Sequence, residues 1–223
     1  MAETQSRVVF GRFGSRIKNP VDWAWDIRLG IKTFGFHPAQ GRQGEARWYL
    51  HFVPSVYADL FRAFSAVGLH KDDVFVDLGS GLGRAVFAAA YRGARRSIGV
   101  EYVAELHEAA TRNLANCRLD KGRIAFHNAD ATHFELADAS VLFLFHPFGA
   151  PTMANVIEKL RRDRAAANIT KTLRIIYYNP VCAEVLAASG WLTETQRLPV
   201  IKLRSGQSAR YDISIWTSDA KSR

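Results

Sequence analysis

A chain of 223 residues, 48% hydrophobic and 23% charged, has the size and composition of one globular domain with a small appendage. No apolar run approaches the ~20 residues of a membrane helix, no secretory leader is predicted, and two distant cysteines, Cys117 and Cys182, exclude a disulfide framework or a CxxC metal site; a reducing cytoplasm fits best. The formal charge of +9 is uneven, +4 over residues 1–72, −1 over 73–150 and +6 over 151–223, so any attraction for nucleic acid or an anionic substrate sits at the two ends, where such charge also serves simply to keep a surface soluble.

Residues 1–19 carry Arg7, Arg12, Arg16 and Lys18 against one acid, Glu3. That composition is shared with organelle transit peptides, but Gly11 and Gly14 interrupt a helix, so a basic, partly disordered arm is expected. From Pro20 to Leu29, the apolar residues Val21, Ala24, Trp25 and Leu29 recur at helical spacing, and Gly30 is placed to end the run. Residues 37–46, HPAQGRQGEA, read as a polar loop. A second helical pattern follows over 54–67, with Tyr57, Leu60, Phe61 and Phe64 on one side, Pro54 in its first turn and Gly68 as its stop. Residues 20–71 are therefore expected to form a small helical cap ahead of a core spanning 72–223. Its aromatic residues Trp23, Trp25, Phe34, Phe36, Trp48, Tyr49 and Phe52 have two readings: a lid over a bound ligand, or packing of the cap onto the core.

After His70-Lys71-Asp72-Asp73 the pattern changes to strand–helix alternation. Strands are expected at 74–78, 97–101, 123–127, 140–145 and 173–178, with helices at 84–92, 103–117, 151–162 and 181–189. This order predicts an α/β fold with a doubly wound, mostly parallel sheet. Two strand-like runs, 192–204 and 209–217, close the chain, and Ser205-Gly206-Gln207-Ser208 between them reads as a hairpin turn. The expected sheet is seven-stranded, with an antiparallel C-terminal hairpin.

The first of these strands runs into VFVDLGSGLGR, residues 74–84. Glycines let a backbone approach a ligand closely, and the N-terminus of the following helix favours anionic groups. A dinucleotide fingerprint, G-x-G-x-x-G/A, needs a small residue where Arg84 stands. Asp77, two residues before Gly79, would repel a pyrophosphate and suits a cationic group such as an amino acid's ammonium.

These residues, V-D-L-G-x-G-x-G-R over 76–84, resemble the first motif of the class I (seven-strand, Rossmann-like) S-adenosylmethionine-dependent methyltransferases, and the order of later elements extends the resemblance over 72–217. It implies that Gly79, Ser80, Gly81 and Gly83 wrap the methionine part of S-adenosylmethionine and that Asp77 holds its ammonium. Glu101, closing the second strand, would accept the ribose hydroxyls, with Tyr102 or Val103 covering the adenine. Asp130, in HNADAT after the third strand, would accept from the adenine amino group beside the Ala131 amide; the alternative is a carboxylate that caps its own turn. No metal is implied.

The fourth strand ends in Phe145-His146-Pro147-Phe148-Gly149, beside the reactive methyl in the family. Members that methylate the exposed amines of bases or glutamine carry [Asn/Asp/Ser]-Pro-Pro-[Tyr/Phe] there, so His-Pro-Phe departs from them. His146 is either a general base or a loop-positioning residue. Tyr178 and Asn179, at the end of the fifth strand, would rim the acceptor pocket, Asn179 orienting the acceptor or capping the next helix. A small-molecule N- or O-methyltransferase is the expected function. The run 73–81 is also similar to the first motif of the nucleosomal, non-SET histone-lysine methyltransferases, whose Asn-rich fourth-strand motif is absent here. Arg161, Arg162 and Arg164 with the basic tail suggest RNA as a third acceptor, and a cofactor-binding partner without turnover is the non-enzymatic alternative.

Overall fold

The computed structural model describes residues 20–34, 54–200 and 211–218. The arm 1–19, the loop 37–46, the hairpin turn 205–208 and Phe36, Trp48, Tyr49 and Phe52 lie outside the described residues. Within them the sheet has seven strands: β1 (Val74–Leu78), β2 (Arg96–Glu101), β3 (Ile124–Asn128), β4 (Val141–Phe145), β5 (Arg174–Tyr178), β6 (Leu192–Leu198) and β7 (Ile213–Ser218), in the order β3-β2-β1-β4-β5-β7-β6. β1 to β5 pair parallel, while β7 lies antiparallel to both β5 and β6. Order and directions are those that the resemblance implies. β1 to β6 start within a residue or two of their expected positions, β6 stops at Leu198, and β7 starts at Ile213, four residues after the expected 209.

Alternation along the central strands divides the core in two. Phe75, Phe143, Ile176 and Tyr178 face one layer with α2 (Tyr57–Ala66) and α3 (Arg84–Tyr91), whereas Val76, Leu78, Leu142, Ile175 and Tyr177 face α5 (Ala150–Ala166) and α6 (Ala183–Ala188). α4 (Ala104–Asn116), with Leu106 and Ala110 buried, packs Leu114 against the first layer. The helices at the front of the chain share this core: Leu29 and Ile31, which end and follow α1 (Pro20–Leu29), and Tyr57, Leu60 and Phe64 of α2 are all buried with it.

α1 turns a different face inward from the one its apolar spacing predicts. Asp22, Asp26 and Leu29 are buried, while Val21, Trp23 and Ile27 are about half exposed and Ala24 lies at the surface. The carboxylates go inside because a buried guanidinium, Arg84, waits there (Asp22 Oδ2 at 3.4 Å, Asp26 Oδ2 at 3.8 Å). Trp25 alone of the exposed-side tryptophans packs, stacking with Tyr57 and edge-on to Phe61 and Tyr91. α2 begins at Tyr57, three residues after Pro54, because Asp22 Oδ1 receives the Tyr57 amide at 3.0 Å and supplies the N-terminal acceptor that Val56 lacks.

At the opposite end of the sheet Asp73 staples four elements together. It accepts from the His70 amide and the Ser140 hydroxyl and pairs with Arg174, which also donates to the Val67 carbonyl ending α2. These donors outweigh burial and hold its carboxyl below the usual range.

Candidate active site

β1 pairs with β2 on one side and β4 on the other, so the strand order reverses at β1/β4, where an open α/β sheet leaves a crevice at the carboxyl ends. The glycine loop leaves β1 at that point and His146-Pro147-Phe148 leaves β4. The two touch: a Cβ at Gly79, whose φ is +81°, would lie 3.0 Å from the Pro147 Cβ.

The loop is folded by its own chemistry. Gly79 and Ser80 amides donate to the Val100 carbonyl at 2.9 and 3.1 Å, tying the loop to β2, and the Gly83 amide donates to the Ser80 carbonyl at 2.8 Å. Gly83 has φ +89° as the N-cap of α3, and a Cβ there would stand 2.5 Å from the Phe126 ring and 2.9 Å from Phe87. Gly83→Ala is therefore expected to lower stability by ~1–3 kcal/mol and to weaken cofactor binding, read by thermal unfolding with and without S-adenosylhomocysteine; an unaltered unfolding curve would show that the loop relaxes freely.

Asp77 and Glu101 are both buried at the base of this loop. Burial first, and the Glu101 carboxylate second, push the Asp77 carboxyl well above its ordinary range. Burial also raises Glu101, partly offset by the amides it accepts: Val103 N on Oε1 and Gly81 N on Oε2, both at 2.8 Å. The Glu101 side chain thus reaches from the end of β2 into the glycine loop. Two raised carboxylates side by side favour a cation or a pair of hydroxyl donors. The Ser80 hydroxyl is buried here too, with no hydrogen-bond partner among the described residues, and 2.7 Å from where a Gly99 Cβ would stand.

Tyr102 follows Glu101 and is half exposed, and Asn128 at the end of β3 fixes this edge by donating to the Glu101 and Tyr102 carbonyls at 2.8 and 3.0 Å. Asp130 lies beyond it and accepts the Thr132 amide and hydroxyl at 2.9 and 2.7 Å, with His133 Nδ1 at 3.9 Å, so its Oδ1 caps its own turn. Ala131 is buried against the second core layer.

On the β4–β5 side, His146 and Asn179 occupy matching corners. Each precedes a proline and each holds a positive φ, 38° and 56°, strain that persists only where the surroundings impose it. Burial lowers the His146 pKa from the ordinary histidine value, which favours the neutral imidazole, and its Nδ1 is buried. The Asn179 amide donates to the Asp212 carbonyl at 3.0 Å, pinning this corner to the start of β7. Tyr178 lies elsewhere than the expected rim. It is 2% exposed and donates its hydroxyl to Asp59 of α2 at 2.8 Å, because strand alternation turns it into the first core layer, where its ring meets Phe145 and Tyr211.

Sequence reasoning also missed residues that brace the site. Arg84, expected only to exclude a dinucleotide, is 2% exposed and donates to Thr33 Oγ1 at 2.6 Å and the Ser55 carbonyl at 2.8 Å, with its guanidinium 4.4 Å from the Phe34 ring centre. Asp22 and Asp26 at i and i+4 within an apolar helix were the available signal. The arginines read as an RNA patch resolve differently: Arg164 is buried and donates to the Ala139 and Lys171 carbonyls, and Arg161 forms a bidentate pair with Glu158. Both stand in the later turns of the 17-residue α5, and Arg164 meets the segments that lead into β4 and β5.

Among the described residues no group of three or more His, Cys, Asp and Glu is arranged to hold a metal, and no helix is long and apolar enough to cross a membrane. By sequence, residues 42–142 match the family model described as histone methylation protein DOT1. No curated protein matches the chain. Among solved structures it is similar to an RNA methyltransferase from Salinibacter ruber bound to S-adenosylhomocysteine, at 20% identity over 74% of this chain and 94% of that one with a TM-score of 0.54. A putative RNA methyltransferase from Pyrococcus horikoshii is 18% identical over 83% and 93%, with a TM-score of 0.55. The magnesium protoporphyrin IX methyltransferase of Synechocystis PCC 6803 with bound S-adenosylmethionine is 12% identical over 73% and 77%, again at 0.55.

Proposed function

We propose that this chain, a class I S-adenosylmethionine-dependent methyltransferase, moves the methyl group to a nitrogen or oxygen nucleophile of a small molecule. The observation that carries the acceptor reading is the corner at His146, a neutral imidazole on a strained turn whose neighbour Pro147 covers Gly79 of the cofactor loop.

Bound S-adenosylmethionine supplies a sulfonium methyl, already an electrophile. Asp77 would receive its ammonium, Gly79, Ser80, Gly81 and Gly83 would wrap the amino-acid end, and Glu101 would take the ribose hydroxyls. Tyr102, Asp130 and Ala131 would border the adenine. The methyl would pass to the acceptor's lone pair with the carbon–sulfur electrons left on sulfur, and His146 would take the acceptor's proton. In-line displacement chiefly requires orientation, which Asn179 would share from the neighbouring corner. The division at residue 72 belongs to the same reading, with 20–71 as a cap serving the core, and so does a cytoplasmic site of action.

A small acceptor is favoured over RNA because Arg164 is buried on backbone carbonyls and Arg161 and Arg162 face Glu158 of their own helix. One observation favours a second reading, a protein lysine: the match of residues 42–142 to the DOT1 family model. The two separate in one experiment. With methyl-labelled cofactor and cell extract, label is expected in the low-mass fraction; label confined to protein would establish the second reading and overturn the first. His146→Gln is expected to lower kcat by ~10²-fold or more and to remove the acidic limb of its pH profile, while S-adenosylhomocysteine still binds. Full turnover by that variant between about pH 6 and 9 would remove His146 as the base.

A further inference from the structure

A short segment after α1 reaches the cofactor loop from behind. The Leu29 carbonyl accepts the Arg118 amide at 2.9 Å, and Lys32 exchanges two backbone hydrogen bonds with the Asn113 side chain, 2.9 Å to Oδ1 and 3.0 Å from Nδ2. The same Asn113 Nδ2 donates to the Leu82 carbonyl at 3.1 Å. One residue on, the Thr33 hydroxyl accepts from Arg84 Nε at 2.6 Å, and the Thr33 amide donates to Asp26 Oδ2 at 2.7 Å. Lys32 and Thr33 are thus coupled to Leu82 and Arg84, the two residues that flank Gly83. Asn113, Thr33 and Arg84 are all buried.

We infer that residues 31–33 are a strap that sets the conformation of the cofactor loop, with Thr33, Asn113 and Arg84 as positioning residues for S-adenosylmethionine binding. This rests on the cofactor reading above. Three glycines in five residues give the loop wide conformational freedom, and a site binds tightly only when that freedom is removed before the ligand arrives. The hydrogen bonds from Gly79 and Ser80 to Val100 fix the loop's entry to β2. Its exit, at Leu82 to Arg84, is fixed by the strap. None of these three side chains needs to touch the cofactor: each acts through the backbone on either side of Gly83.

The test is calorimetric titration of S-adenosylhomocysteine into the full chain and into Thr33→Val and Asn113→Ala. Both substitutions are expected to raise Kd about tenfold, ~1.4 kcal/mol, and Thr33→Ser, which keeps the hydroxyl, should bind like the parent. Asp73→Asn, at the far end of the sheet, is the control that lowers Tm without touching the strap, and its Kd should stay within about twofold of the parent's, below the tenfold step that ~1.4 kcal/mol represents. If Thr33→Val and Asn113→Ala bind no more weakly than that control, the strap is merely structural and the inference fails. Should Asn113→Ala not fold, Thr33→Val against Thr33→Ser decides alone. A parent chain that takes up no S-adenosylhomocysteine would instead overturn the cofactor reading itself.

Discussion

Asp77→Asn is expected to weaken S-adenosylmethionine binding by ~10–100-fold, the size of a lost hydrogen bond to a charged partner. It should also flatten the pH dependence of binding. Asp77 is 4% exposed, and burial followed by repulsion from Glu101 raises its pKa well above the ordinary value. An ammonium arriving beside it favours the ionised form, so binding expels the proton that the empty site retains. Affinity should therefore climb as pH rises from ~4, the ordinary carboxylate range, until the cofactor's own amino group begins to lose its proton near ~7.7–8. Linkage gives the matching sign for the empty protein. Because the folded pKa lies above the unfolded one, Asp77's contribution to stability is complete below the unfolded value and is lost as pH rises through the folded one. The stabilisation conferred by S-adenosylhomocysteine should accordingly grow with pH in the parent and stay level in Asp77→Asn. Equal, pH-independent Kd values for parent and variant would remove Asp77 from the cofactor site.

The sheet and the glycine loop were legible in the sequence because short-range signals determine them. Apolar runs such as Val74 to Val76 and Val141 to Phe145 can only be buried strands, and the spacing from Asp77 through Gly83 has few uses besides a ligand loop. α1 was legible as a helix but not in orientation. Its apolar spacing points Val21 and Ala24 inward, and the structure exposes both because the desolvation of Asp22 and Asp26 is met by a guanidinium 62 residues from Asp22 in sequence, beside Thr33. No local pattern encodes such a partner. Tyr178 misleads for a related reason: its place at a strand's carboxyl end suggests a rim, yet the period of two along β5 sends it to the same layer as Ile176, where Asp59 takes its hydroxyl. The run at Arg161 to Arg164 looks like a surface patch in sequence, but helical phase carries Arg164 inside to bind carbonyls while Arg161 turns out to Glu158.

The same long-range ion cluster is the place where one substitution should cost the fold most. Arg84→Met keeps the stem's apolar volume but withdraws the guanidinium from Asp22, Asp26, the Thr33 hydroxyl and the Ser55 carbonyl. Removing one side of a buried pair costs ~3–5 kcal/mol because the remaining charge keeps its desolvation penalty. For a chain of this length that corresponds to a fall of ~6–20 °C in Tm at ~2–4 °C per kcal/mol. If the remaining charge is the cause, neutralising it should return part of the loss. Asp22→Asn is the substitution to combine, since an amide oxygen at that place can still accept the Tyr57 amide now 3.0 Å from Asp22 Oδ1. The double variant should then melt above Arg84→Met alone, although Asp22→Asn by itself lowers Tm, a non-additivity confined to residues in contact. Strictly additive losses would mean that Arg84 stabilises the chain through its packing on Phe34 and Tyr57, at 4.4 and 5.0 Å from the ring centres, and not through the carboxylates. In that event the inverted face of α1 would owe its orientation to Leu29 and Ile31, and Asp22→Leu should be tolerated; with the charge cluster in control it should destabilise, because Arg84 then loses a partner in a place that water does not reach.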